Sequence, residues 1–180
     1  TNLKCTILLD SSGSMGYQSP FNKEESKIDY ARNLVAGLSY LFLKQFDAVG
    51  LTLFNNQVVH HIPPRSKASH LKNILHGLSN FSAKGATAIE DVLASLTEHL
   101  PGRSMVILIS DFLIGNQDIH KNLKLLRSRG LEVMLFQILH PDELNLPFEG
   151  DTVFESLEDD TMVGLDPIDI REEYQKAIQE

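Results

Sequence analysis

The sequence predicts a doubly wound α/β domain, with a mostly parallel sheet, one antiparallel edge strand and helices on both faces. Short apolar runs have the length of strands that are buried on both faces. Between them lie segments in which apolar residues recur every three or four positions, as they do along the buried face of a helix. The alternation of the two patterns predicts right-handed crossovers between parallel strands.

One domain is expected over residues 1–180, because 180 residues with 42% hydrophobic content are enough to bury one core. The chain starts with Thr1 instead of methionine, and the first strand pattern begins almost at once. We therefore expect this domain to have been excised from a longer protein.

The first half of the chain contains three predicted strands and one long helix. Asn55 and Asn56 separate the second and third strands and can adopt the positive φ angles of a two-residue hairpin turn, so the third strand is the antiparallel edge. Pro63 and Pro64 are expected to end it. The strands are predicted at residues 3–9, 49–54 and 57–62, and the helix at residues 27–45.

From residue 67 onward the chain continues the alternation of helices and buried strands. Gly130 is a typical helix C-terminal cap, and Pro167 is typical of a first helical position. Helices are predicted at residues 67–78, 88–99 and 117–128 and from Pro167 toward Ala177; strands are predicted at 104–110 and 131–139, with a terminal pair at 152–157 and 161–165. The acidic residues between the last two strands are expected to form a solvated turn.

Charge and composition exclude several classes of partner. The formal net charge of -8 argues against nucleic acid and against contact of this fragment with an anionic membrane surface. No apolar stretch reaches the ~18 to 20 residues that cross a bilayer. Cys5 is the single cysteine, so no internal disulfide can form, and its apolar neighbours predict a buried strand thiol. We expect this domain to lie in the cytoplasm. Membrane association of the full-length protein is left open.

A set of oxygen-bearing residues follows the ends of the predicted strands. Asp10, Ser12 and Ser14 form a loop after the first strand, Asp111 ends the 104–110 strand, and Thr87 lies before a helix. Ligands of such sheets gather at the carboxyl ends of the strands. Hydroxyls and carboxylates are hard ligands that suit Mg²⁺, with Mn²⁺ or Ca²⁺ as alternatives. If the hydroxyls bind directly and a carboxylate acts through water, an open position remains for a carboxylate of another molecule.

The Asp-x-Ser-x-Ser loop, the distant threonine and the distant aspartate resemble the metal-ion-dependent adhesion site of von Willebrand factor A domains. All five positions are present, in the right order and on the right elements, and the likeness spans at least residues 3–139. The resemblance implies that Asp10, Ser12, Ser14, Thr87 and Asp111 hold the metal for binding and not for catalysis. The partner would present an Asp or Glu to the metal.

Three further segments show a narrower resemblance that reaches nearly the whole chain. Residues 26–32 (SKIDYAR), 103–113 (RSMVILISDFL) and 146–151 (LPFEGD) look like the bacterial von Willebrand factor A-like proteins of unknown function that accompany MoxR-type AAA+ ATPases. The resemblance implies an adaptor or assembly factor, with the ATPase or its client as the partner.

Each site residue also has an ordinary structural explanation. Thr87 and Glu90 have the spacing of a helix capping box, Ser12 and Ser14 suit a turn, and Asp111 could simply end a strand. An inert α/β domain with an empty polar pocket is therefore one alternative.

The enzymatic alternative is a serine hydrolase that uses Ser14, Asp111 and His140, which occur in the chain order of α/β-hydrolases. Ser12 stands where the nucleophile elbow of those enzymes has glycine, so the motif is incomplete.

Overall fold

The computed structural model describes residues 3–21, 25–97, 100–113, 119–159 and 161–179. Its strands are β1 (Lys4–Asp10), β2 (Ala48–Phe54), β3 (Val58–Arg65), β4 (Met105–Ser110), β5 (Glu132–Gln137), β6 (Thr152–Glu155) and β7 (Met162–Leu165). Its helices are α1 (Lys27–Lys44), α2 (His70–Ser79), α3 (Ile89–Thr97), α4 (His120–Ser128), α5 (Pro141–Asn145) and α6 (Pro167–Gln179), with a short 3₁₀ helix at Ser14–Gly16.

The main sheet has the order β3-β2-β1-β4-β5, with β1 at its centre. β1 pairs in parallel with β2 and β4, and β5 pairs in parallel with β4. β3 runs antiparallel to β2 at the edge. This arrangement confirms the predicted mostly parallel sheet with one antiparallel edge strand.

Helices cover both faces of the sheet, as predicted. On one face Ile7 and Leu9 of β1 belong to a cluster with Val35 of α1. On the other face Leu8 lies in a cluster with Val92 of α3, and Leu126 of α4 belongs to the same cluster. Alternate residues of one strand thus enter two cores, which explains why β1 reads as a continuous apolar run.

Cys5 is fully buried in β1. Burial, with a smaller contribution from the negative charge of Asp47, raises the pKa of its thiol to about 12. The predicted buried strand thiol is confirmed.

The β2–β3 hairpin differs from the prediction in its turn and in its end. Phe54 pairs with Val58, so the turn has three residues, and neither asparagine is among the described residues with positive φ. Asn55 closes the turn through its side chain, which accepts a hydrogen bond from the Gln57 N–H at 3.2 Å. β3 continues through both prolines to Arg65. An edge strand tolerates proline because its missing N–H is not needed by a second neighbour.

Helix α5 was not predicted, because five residues are too few to show helical periodicity. It begins with a capping box in which His140 accepts from the backbone and Glu143 accepts from the His140 N–H. Parts of two predicted helices, at residues 98–99 and 117–118, lie outside the described residues. No helix in the described ranges is both long enough and apolar enough to span a membrane.

Gly50 lies at an irregularity in the pairing of β2 with β3, where the backbone of β3 approaches closely. A Cβ there would lie 2.7 Å from both the Ile62 carbonyl oxygen and the Pro64 nitrogen, which are backbone atoms. We predict that Gly50→Ala lowers the free energy of unfolding by about 1–3 kcal/mol, measured by urea denaturation. Gly37→Ala in α1 is the matched control, because nothing lies within 4 Å of its Cβ. The control should gain about 0.5–1 kcal/mol from helix propensity, and equal effects of the two changes would contradict the prediction.

Candidate metal centre

Asp10 is the centre of the candidate site and has no exposed surface. Its Oδ1 accepts from the Ser12 N–H at 2.9 Å. Its Oδ2 accepts from the hydroxyls of Ser110 at 2.8 Å and Thr87 at 3.2 Å. Burial raises the pKa of this carboxyl, whereas the hydrogen bonds from Ser12 and Ser110 oppose the rise. A buried carboxylate is thus surrounded by donors from two loops and from the end of β4.

Backbone hydrogen bonds join the loop after β1 to the loop before α3. The Gly13 N–H donates to the Gly85 carbonyl at 2.8 Å, and the Lys84 N–H donates to the Ser11 carbonyl at 2.9 Å. The hydroxyls of Ser12 and Ser14 are 3.2 Å apart. These bonds fix the loop that carries the serines relative to the loop that carries Thr87.

Asp111, at the end of β4, is also fully buried and faces a buried ammonium group. The Nζ of Lys27 lies 2.8 Å from its Oδ2 and 2.5 Å from Oε1 of Glu143 in α5. The other oxygen of Asp111 accepts from the Leu113 N–H at 3.2 Å. Asp111 therefore enters the site with part of its charge already balanced by Lys27.

The residue after Asp111 is strained. Phe112 has a φ of 56°, in the left-handed region that bulky side chains rarely adopt. Its N–H donates to the Ser110 hydroxyl at 3.0 Å, and its ring packs against the core that includes α3 and α4. Leu113, by contrast, is 42% exposed.

The structure brings the predicted site residues together. Hydrogen bonds join Asp10 to Ser12 and Thr87, and Ser14 to Ser12. Asp111 directly follows Ser110, whose hydroxyl holds Asp10. That these residues bind a metal stays a prediction.

Sequence reasoning missed Ser110, Lys27 and Glu143. In the sequence, Ser110 is recognisable only as the last residue of the strand predicted at residues 104–110. Lys27 had a local signal, because a lysine in the first turn of a helix opposes the helix dipole. Such a residue indicates a carboxylate partner elsewhere in the fold.

Glu158 was also missed: it lies in the expected turn between β6 and β7, but its carboxylate contacts the protein. Its Oε2 accepts from the Thr87 backbone N–H at 3.1 Å. Its Oε1 is buried and has no hydrogen-bond partner among the described residues. The turn between β6 and β7 thus adds a third carboxylate to the edge of the site.

The donors present fit a hard divalent cation. Neighbouring oxygens around octahedral Mg²⁺ at ~2.1 Å are about 3 Å apart, close to the 3.2 Å between the hydroxyls of Ser12 and Ser14. The carboxylates of Asp10, Asp111 and Glu158 outweigh the charge of Lys27, and one oxygen of Glu158 is buried without a donor. Among the described residues, no group of three or more His, Cys, Asp or Glu could hold a metal. A cation here would therefore depend on the hydroxyls as well.

The residues of the enzymatic alternative have other contacts. His140 accepts from the Asp142 N–H through Nδ1 at 3.1 Å, and its ring meets the edge of Tyr17 with centroids 5.1 Å apart. Asp111 faces Lys27, and the Ser14 hydroxyl lies beside Ser12. The imidazole thus caps α5, and the carboxylate forms an ion pair.

Comparison with known proteins gives a family match and similar folds. The family model described as protein of unknown function DUF58 matches residues 1–180. An aerotolerance-related membrane protein from Bacteroides fragilis NCTC 9343, solved with multiple mutations to serines, is 20% identical to this chain with a TM-score of 0.65. The match covers 99% of this chain and 89% of that protein. The conserved hypothetical protein BatB from Bacteroides thetaiotaomicron is also 20% identical with a TM-score of 0.65, covering 99% of this chain and 87% of its own. This level of identity shows the shared fold. No curated protein matches the chain.

The ion pair of Lys27 and Asp111 predicts a coupled effect on stability. Lys27→Met should lower the free energy of unfolding in metal-free buffer by about 3–5 kcal/mol, because it leaves Asp111 buried without its cation. The double variant with Asp111→Asn should recover part of this loss, measured in a double-mutant cycle by urea denaturation.

Lys44→Met is the control for this cycle, because Lys44 is an exposed residue of the same helix. It should change stability by no more than about 0.5 kcal/mol. Additive losses in the double variant would contradict the prediction.

Proposed function

The chain belongs to the DUF58 family of proteins of unknown function, and we propose that this member is a divalent-cation-dependent protein-interaction module. One observation carries the proposal: buried Asp10 gathers hydroxyl groups from neighbouring loops at the carboxyl edge of the sheet. This is where parallel α/β sheets bind ligands.

The proposed metal ligands are those of a metal-ion-dependent adhesion site in a von Willebrand factor A-like domain. Mg²⁺ would be held by Asp10, Ser12, Ser14, Thr87 and Asp111, with Mn²⁺ or Ca²⁺ as alternatives. The bound cation supplies an electrophilic position for a carboxylate of the partner. The neutral hydroxyls and the pairing of Asp111 with Lys27 support this idea, because they leave the cation incompletely neutralised.

The buried lysine has a second role in this proposal. Lys27 is 2.8 Å from Asp111, so it orients that carboxylate and offsets its charge beside Asp10. Two unpaired carboxylates at this edge would repel each other in the metal-free protein. Lys27 thus allows the site to form before a cation arrives.

The proposed partner is a protein that presents an Asp or Glu to the site. The narrower resemblance favours a MoxR-type AAA+ ATPase or one of its clients, with this domain as an adaptor or assembly factor in the cytoplasm. Similarity to an aerotolerance-related membrane protein supports membrane association of the full-length protein. Catalysis is not part of the proposal, because His140 caps a helix and Asp111 pairs with Lys27.

A calorimetric titration tests the proposal. Mg²⁺ and Mn²⁺ should each bind the chelator-treated protein at one saturable site and should not bind Asp10→Asn. At a hundredfold excess over Kd, the cation should raise the free energy of unfolding by ~2.7 kcal/mol. A metal-free thermal melt checks that Asp10→Asn is folded.

Asp91→Asn serves as the control, since Asp91 is an exposed acid of α3, the helix that follows Thr87. It should bind the cation as the wild type does. Binding that persists unchanged in Asp10→Asn would overturn the proposed site. Labelling of Ser14 by a serine-directed acylating reagent would support the hydrolase instead.

A further inference from the structure

The hairpin of β6 and β7 lies over the candidate site as a separate unit. The two strands form their own two-stranded sheet, which is not hydrogen-bonded to the five-stranded sheet. Val153 and Met162 are 67% and 62% exposed, so these side chains contribute little to any core. The position of the hairpin therefore depends on its turn and on a few side-chain contacts.

Gly13 provides the surface on which the turn rests. A Cβ at Gly13 would lie 1.8 Å from the carbonyl oxygen of Leu157 and 2.7 Å from its carbonyl carbon. The backbone of Gly13 is right-handed helical, with a φ of −58°, and any residue could adopt it. Glycine is thus needed here for the close approach of the turn, and not for its backbone angles.

The turn directs the carboxylate of Glu158 toward the loop of Thr87. The Ser156 hydroxyl accepts from the Glu158 N–H at 3.2 Å, and the Glu158 Oε2 accepts from the Thr87 N–H at 3.1 Å. A carboxylate near the start of α3 is a favourable contact for a helix N-terminus and accounts for Oε2. It does not account for Oε1, which is buried without a hydrogen-bond partner among the described residues.

We propose that Glu158 is an internal carboxylate ligand of the metal site, beside Asp10 and the hydroxyls and with Asp111 acting through water, and holds the position that a partner's carboxylate takes. This inference rests on the proposed function. The buried Oε1 of Glu158 would find its partner in the cation, and a binding protein would have to displace the hairpin. The hairpin then competes with the partner for the cation, and this competition lowers the apparent affinity of the partner.

Two substitutions remove this ligand by different routes. Glu158→Ala removes the carboxylate, and Gly13→Ala places a methyl group where the Leu157 carbonyl of the turn lies. Mn²⁺ alone is the probe: calorimetry gives its affinity, and water-proton relaxation reports the water bound to it. Glu155→Ala is the control, because Glu155 is an exposed acid of the same hairpin. Metal-free thermal melts check that every variant is folded.

Glu158→Ala and Gly13→Ala should each weaken Mn²⁺ binding about tenfold or more. Both should increase the proton relaxation per bound Mn²⁺, since water replaces the lost carboxylate. Glu155→Ala should match the wild type in both measurements. Equal affinity and equal relaxation in the wild type and Glu158→Ala would overturn this inference but leave the proposed function standing. Absence of Mn²⁺ binding in the wild type would overturn both.

Acetate tests the competition directly as a minimal partner carboxylate. Its binding to the protein-held Mn²⁺ displaces water and lowers the proton relaxation. Because the apparent affinity falls with the fraction of molecules that are open, Glu158→Ala should respond at acetate concentrations several times lower than the wild type. Equal acetate sensitivity in the two proteins would overturn the role of Glu158 as a competitor.

Discussion

The burial of Asp10 at the end of the central strand constrains the whole carboxyl edge of the sheet. A carboxylate with no exposed surface is costly unless donors surround it. Two of its donors come from positions 77 and 100 residues further along the chain. The loop that carries Thr87 and the end of β4 that carries Ser110 therefore have to converge on β1. A polar group that would otherwise destabilise the fold brings together the loops of the candidate site.

A second buried charge ties the helices to the same edge. Lys27 begins α1, and its ammonium group reaches both Asp111 at the end of β4 and Glu143 in α5. The contact offsets the unfavourable position of a lysine at a helix N-terminus. The start of α1, the end of β4 and the short helix α5 are consequently fixed by one ion-pair network. Two charged centres, one built on Asp10 and one on Lys27, meet at the ends of neighbouring strands.

The fold could be predicted because burial leaves periodic patterns in the sequence. Parallel strands buried on both faces give apolar runs, and the parallel order places Asp10 and Asp111 at one edge. The structure differs from the prediction where the position of a segment in the fold overrides its local sequence pattern. β3 passes through Pro63 and Pro64 because it lies at an edge, and α5 is too short to show a period.

The motif of the candidate site could be predicted from the sequence, but the residues that surround the motif could not. The oxygen-bearing residues that follow the strands could be identified from their spacing alone. Lys27 and Glu158 could not, because their partners Asp111 and Thr87 are 84 and 71 residues away. Charge patterns along the chain do not specify such pairings. The requirement for glycine at position 13 is equally hidden in the sequence, because it comes from a carbonyl group of a distant turn.

The contact between Gly13 and Leu157 divides the hairpin into parts with different tolerance to sequence change. Leu157 contributes its carbonyl group, which every amino acid has, while its side chain is 49% exposed. Substitutions at position 157 and at the exposed strand positions therefore preserve the contact between the turn and the backbone of Gly13. A side chain at position 13 removes this contact. The exposed surface of this hairpin can thus change in sequence while the contact that holds its turn against Gly13 stays the same.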